Sequence, residues 1–263
     1  MKQPNYRVNP SLLNAYQDLL NSERVYDKYY GQSENPSITL EEFEKKQEQD
    51  LIDAINRTET VPAEAPTRGT CLNEIIDCIL EHRKAQDGFE IHSVRGPEGN
   101  LQHITASHDG FTFNFDGALC MELASYFRGS ICQHLCEATI DTSFGPVIVY
   151  GYLDYLRRDV VFDLKTTGRY EWGKYEDGWQ KVVYPWALIE SGEVTSISGF
   201  EYTAVKVYGG NQKNPIVNGE VYHEWYDYDH NKATNDLREV LDSLIAWVER
   251  HRSEITHPRI FNK

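Results

Sequence analysis

Apolar and polar positions change period several times along this chain, and each change marks an element. Asn9 ahead of Pro10 reads as an N-cap and first helical residue, opening a helix through "SLLNAYQDLL". Thr39 and Glu42 form a capping-box pattern before an acidic helix that ends near Asn56. The stretch "TVPAEAPTRG" interrupts the pattern with two prolines and a glycine and predicts a linker. Beyond it Leu72, Ile75, Ile76 and Ile79 recur at i, i+3, i+4 and i+7, the stripe of an amphipathic helix whose other face carries Asn73, Glu74 and Asp77. From Phe89 to Phe115 the glycines and Pro97 mark turns between short strands. "DGALCMELASYF" predicts a helix and "LCEATI" a strand. Two β-rich runs, "PVIVYGYLDYL" and "VVFDLKTT", are separated by the polar "RRD" and predict a hairpin. A helix from Asp177 to Glu190 buries Trp179, Val182, Val183, Trp186 and Ala187; strands follow in "SISGFEYTAVKVY" and "EVYHEWYDY", and an amphipathic helix in "LREVLDSLIAWVERH" closes the chain.

At 263 residues with 40% hydrophobic content, the chain can bury one good-sized core, so a single domain over residues 1–263 is expected, with residues 1–67 as a helical N-terminal extension and 68–263 as the core. No apolar run is long enough for a signal peptide or a membrane span, which predicts a cytoplasmic protein with no membrane partner. Five cysteines at irregular spacing read as free thiols in a reducing compartment. Cys132 and Cys136 at CxxxC spacing read better as helical core packing than as metal ligands. The nine histidines show neither HxH nor HExxH spacing, and GxSxG and P-loop patterns are absent, which argues against a zinc hydrolase, a serine hydrolase and a nucleotide-binding loop.

The chemistry gathers around "VVFDLKTTG". Side chains alternate along a strand, so Val161, Asp163 and Lys165 share one face while Phe162 and Leu164 pack on the other. With a two-residue turn at "RR", Asp154 lies opposite Val161 and diagonal to Asp163, roughly 7–8 Å away. Two carboxylates beside an ammonium make sense if a hard divalent cation neutralises the acids, with the Leu164 backbone carbonyl as a further oxygen. Lys165 then holds an attacking water near a phosphate. Gln180 and Tyr184 stand at i, i+4 on one side of the following helix, the first suited to fixing a water or ligand and the second to donating to a phosphate.

In this order "GYLDYL" (Asp154), "DLK" (Asp163, Lys165) and "QKVVY" (Gln180, Tyr184) resemble the GxxD, (D/E)xK and QxxxY motifs of the PD-(D/E)xK nuclease superfamily, in its RecB-like exonuclease branch. "NPSLLNAY" is similar to the SPSxLxxY opening common there, and "RGTCLNEII" to its GTxxH helix. The resemblance implies an α/β (α+β) fold with a restriction-endonuclease-like αβββαβ core: a mixed central sheet flanked by helices. It also implies a Mg²⁺ or Mn²⁺ site on Asp154 and Asp163, DNA as substrate, and a phosphodiester hydrolase, an exonuclease above all, of recombination, repair, phage or defence.

The chain departs from that pattern where the branch has a metal-binding histidine and this sequence has Asn73, with Glu74, Asp77 and Glu137 as alternative acids. Pro185, inside the last motif's helix, removes one backbone bond and kinks it. No cysteine follows Cys136, so no iron–sulfur cluster is expected. The net charge of −15 opposes binding to a phosphate backbone, although Arg157, Arg158, Lys165, Arg169, Lys174 and Lys181 crowd around the motifs. The rival expectation is a catalytically inactive nuclease-fold protein that meets a protein partner or a second copy of itself.

Overall fold

The computed structural model describes residues 4–31, 33 and 35–263. A short strand β1 (Tyr6–Val8), absent from the sequence reading, precedes α1 (Pro10–Leu20), which starts at the expected cap: the Leu12 N–H donates to the Asn9 side chain at 2.9 Å. A further helix not anticipated, α2 (Ser22–Tyr29), leads to α3 (Leu40–Asn56), where Thr39 and Glu42 form the complete capping box. The N-terminal segment is thus helical but also supplies a strand. The α4 helix (Glu64–Glu81) begins inside the stretch read as a linker. Pro66 is its third residue, where no intrahelical partner for an N–H exists, so the proline costs nothing there. Gly69, within α4, lies against Thr166: a Cβ there would meet its hydroxyl at 2.8 Å.

The chain continues through β2 (Glu90–Arg95), β3 (Leu101–His108), β4 (Phe111–Asp116), α5 (Gly117–Tyr126), β5 (Ile131–Thr142), β6 (Gly145–Arg157), β7 (Val160–Thr167), α6 (Gln180–Glu190), β8 (Gly199–Gly209), β9 (Ile216–Asp227) and α7 (His230–Arg250), ending in a 3-10 turn at Pro258–Phe261. All nine strands join one mixed sheet in the order β1-β6-β7-β8-β9-β4-β3-β2, with β5 on the second edge of β6. The fold is α+β, a mixed central sheet flanked by helices. The order helix, three strands, helix, strand is present as α4, β5, β6, β7, α6 and β8, with β2 to α5 inserted after α4. One apolar cluster joins residues of α1, α3, α6 and α7 to one sheet face. A second joins α4 and α5 to the other.

Two features of β6 position the site. On the edge opposite β5, β1 pairs only with Val147–Val149 and β7 only with Tyr155–Arg157, so residues 150–154 face a fork. The residue pair Gln133 and Asp154 is skipped in the β5–β6 ladder, and Gln133 sits at φ 47. There the alternation slips by one: Leu153 and Leu156 belong to the first cluster and Tyr155 to the second. The same slip sends Cys136 to one cluster and Cys132 to the other, on a strand and not on the helix expected of them. No single ion can bridge that pair.

Candidate active site in the strand fork

The hairpin turns at Arg158 and Asp159, with Arg158 at φ 59, so Arg157 pairs with Val160. The turn lies one residue later than the sequence reading placed it. Extending this register puts Asp154 opposite Asp163 and not opposite Val161, two positions along but on the same face. The strands diverge at that point, and the Leu164 N–H donates to Asp154 Oδ2 at 2.8 Å. A charged acceptor therefore takes the place of the ladder bond that the fork removes. N–H and C=O of one residue leave a strand by the same edge, so the Leu164 carbonyl also faces the fork.

Along β7 the alternation holds. Phe162 and Leu164 lie in the α4/α5 cluster, Val161 in the opposite one, and Asp163 and Lys165 take the Val161 side. Asp163 is 2% exposed and forms a 2.6 Å ion pair with the Lys165 ammonium. Gln180, the first residue of α6, reaches Asp163 Oδ1 at 3.4 Å and accepts from the Tyr202 hydroxyl at 3.3 Å. The sheet thus brings together Asp154, Asp163, Lys165 and Gln180. Burial raises the affinity of Asp154 for its proton, and the charge of Asp163 raises it further, against Lys165 and the Leu164 N–H. Burial works against the charge on Lys165, but Asp163 and Asp154 outweigh it and hold the ammonium above its ordinary value.

Tyr184 is buried, and its ring occupies the space in front of Gly151: a Cβ there would stand 2.5 Å from Tyr184 Cε1. The glycine and the tyrosine of the two motifs are therefore complementary surfaces of one contact. Burial, followed by the charges of Asp163 and Asp154, pushes the Tyr184 hydroxyl well above its usual range, so it stays a donor. Pro185 deletes one backbone bond of α6, yet the helix runs through it to Glu190.

The other acids go elsewhere. The α4 face that carries Glu74 and Asp77 is buried: Glu74 is 5% and Asp77 1% exposed. Glu74 takes both Arg83 nitrogens, at 2.5 and 2.9 Å, and the Gln86 N–H at 2.7 Å, which ties down the end of the helix. Its oxygens are committed, so it is a structural anchor and not a free ligand. Asp77 faces Tyr155 and Gln133, and burial lifts its pKa to about 6. Glu137 is exposed and paired with Arg7 at 2.8 Å, opposite Tyr150 and on the other side of the strand from Gly151. Asn73 lies on α4 one turn beyond Gly69, which touches Thr166, and one turn before Asp77, which faces Tyr155. It therefore stands beside the fork, and its Oδ1 is buried with no hydrogen-bond partner.

Among the described residues no group of three or more His, Cys, Asp or Glu surrounds one point. What the fork offers is a set of hard oxygens, Asp154, Asp163 and the Leu164 carbonyl, with the unpartnered Asn73 Oδ1 on the neighbouring helix α4. Asp163 Oδ2 also lacks a well-aligned hydrogen bond, although the Lys165 ammonium stands 2.6 Å away. That set suits Mg²⁺ or Mn²⁺ better than zinc or copper.

Lys165 and Gln180, both in contact with Asp163, also line a cleft of about 330 Å³ between the sheet, α1, α2 and the segment 168–179, together with Lys174, Arg24, Asp18 and Tyr202. Lys174 donates to Thr167 Oγ1 at 2.5 Å and to the Arg169 carbonyl at 2.8 Å. Glu224, 1% exposed on β9, accepts from the Gly173 N–H at 3.2 Å and from the Tyr226 hydroxyl at 2.8 Å, which pins the segment carrying Lys174. Sequence reasoning missed Arg24, Asp18, Tyr202 and Glu224. They come from elements outside the motifs, and only the acid embedded in the aromatic run "YHEWYDY" marked Glu224 as a buried charge.

No protein-family model matches the sequence, and no curated protein does. Among solved structures there is a likeness to the crystal structure of SSO0001, at a TM-score of 0.30 and 11% identity over 46% of this chain. The matched part spans 55% of that chain, and a similarity of that degree says nothing about function.

Proposed function

We infer that the protein is a metal-dependent deoxyribonuclease that hydrolyses phosphodiester bonds in the manner of the PD-(D/E)xK superfamily. The observation that carries this reading is the fork itself: Asp154 on the Leu164 N–H, and the buried Asp163 paired to Lys165, which lines a cleft together with Lys174 and Arg24. A structural ion pair would need only two of these groups, and isolated buried ion pairs are poor stabilisers.

Asp154 and Asp163, with the Leu164 carbonyl and Asn73, would hold Mg²⁺ or Mn²⁺, which when bound supplies positive charge for the developing phosphoryl oxygens. Lys165, its ammonium favoured by Asp163 and Asp154, stands at the cleft edge of Asp163, placed to orient a water and to stabilise negative charge on the attacked phosphate. Gln180 fixes Asp163 from the side of α6, and the buried Tyr184 hydroxyl, kept protonated, is a donor close to the two acids. Lys174 and Arg24 offer positive charge to the nucleic-acid backbone on either wall.

End-labelled linear and closed circular DNA incubated with the protein and Mn²⁺ test the reading. Loss of label from linear DNA, abolished by EDTA, is expected; intact substrate under every metal condition would count against it. One observation favours a second reading: with only two carboxylates in the fork and one already paired with Lys165, the fold could serve as an inactive scaffold that meets a protein partner. Absence of Mn²⁺ binding to the pure protein would favour that alternative. A cytoplasmic location, consistent with free thiols, belongs to the same proposal.

A further inference from the structure

A second basic site lies away from the cleft, at the other end of α1. We propose that the cavity enclosed by β1, the start of α1, the end of α3 and the 3-10 turn binds a phosphate group, gripped by Arg7, Arg57 and Arg259. The cavity measures about 140 Å³ and is lined also by Ser11 and Tyr150. Three guanidinium groups converge here in a chain whose net charge is −15. Among the described residues only Arg7 has a carboxylate partner, Glu137 at 2.8 Å, while Arg57 and Arg259 have none. Like charges brought together without counter-ions repel, and a multiply charged anion relieves that repulsion.

The donors suit a tetrahedral oxyanion. The Nε of Arg7 is buried and makes no hydrogen bond. Tyr150 is 6% exposed, its hydroxyl has no partner among the described residues, and its ring is flanked by Arg7 at 4.2 Å and Arg259 at 5.2 Å. Cation–π contact with this one ring holds the two guanidiniums in place before any ligand arrives. Arg57 caps α3 in the left-handed region, at φ 53, a conformation that an arginine seldom adopts. Ser11, the second residue of α1, has no intrahelical acceptor for its N–H, so the positive end of the helix adds a backbone donor to the arginines. Guanidinium forks match phosphate oxygens in pairs, and three around one cavity exceed what a carboxylate can use. From Ser11 to Asp18, which lines the cleft, α1 rises about 10 Å. The two sites are therefore separate, and this inference does not rest on the nuclease reading.

Calorimetric titration of the full chain with inorganic phosphate at constant ionic strength tests it. Wild-type protein should saturate at one site. Arg259→Gln and Arg57→Asn, the second chosen because asparagine tolerates left-handed backbone, should each weaken the site about ten-fold or more, since a charge-assisted bond contributes about that much. Arg128→Gln, exposed and distant, should leave it unchanged. A single-stranded oligonucleotide without terminal phosphates distinguishes the source: competition with phosphate assigns the site to a nucleic-acid backbone, and no competition to a free phosphate or phosphomonoester. No saturable binding by wild-type protein, or equal binding by folded Arg57→Asn and Arg259→Gln, would overturn the proposal.

Discussion

At Gly151 the side chain is missing because Tyr184 fills the space one would need. Gly151→Ala should cost about 1–3 kcal/mol, as overpacking of a tight core does, and should displace the tyrosine from the acids. A melting temperature equal to wild type would show that the contact is looser than described. Asp77 makes a different point, because its pKa of about 6 lies above the ordinary aspartate value of 3.8. The folded state then binds a proton more tightly than the unfolded chain. Stability from this group is present at low pH and lost as pH rises from about 4 through 6. Asp77→Asn should therefore raise the melting temperature at pH 8, by up to about 3 kcal/mol of stability on a shift near two units, and the gain should shrink as pH falls toward 4. A gain independent of pH would sink the assignment.

Among the elements, segment 168–179 depends on one buried acid from β9. Glu224→Ala removes the acceptor of the Gly173 N–H and the Tyr226 hydroxyl, and should cost about 1–3 kcal/mol while exposing this segment to proteolysis. Unchanged cleavage by trypsin at Arg169 and Lys174 would show that other contacts hold it. The strand pattern was legible in the sequence because alternation in "VVFDLK" dictates which face each charge takes. The hairpin was legible in kind but displaced by one residue, since "RRD" offers two positions for a two-residue turn and only the φ of Arg158 decides between them. Parity survived the displacement, so the aspartates still share a face. The slip at Gln133 and Asp154 was not legible: two strands swap faces together, and neither sequence alone records it. Helix α4 was missed at its start because Pro66 looks like a breaker unless its place in the first turn is known.

For the whole molecule, charge is the main constraint on a nucleic-acid partner. The cleft presents Arg24, Lys165 and Lys174, but Arg24 is paired with Asp177 at 2.7 Å and Lys165 with Asp163. Few phosphates can be neutralised there. The slope of log affinity against log salt should be shallow, about −2 to −3 at roughly −0.9 per phosphate contacted on duplex DNA. A much steeper slope would mean that DNA binds along a surface other than this cleft. No helix among the described residues is long and apolar enough to cross a membrane.

The account stands most directly on cleavage by three proteins prepared in parallel: wild type, Asp163→Ala and Lys165→Ala, each incubated with labelled linear DNA and Mn²⁺. The fork predicts that wild type degrades the substrate and that both variants, folded by circular dichroism, lose activity by at least about a hundred-fold, as expected when a group that stabilises transition-state charge is removed. Cleavage by either folded variant at the wild-type rate would contradict it, because the hydrolysis would then come from somewhere other than the paired charges of β7.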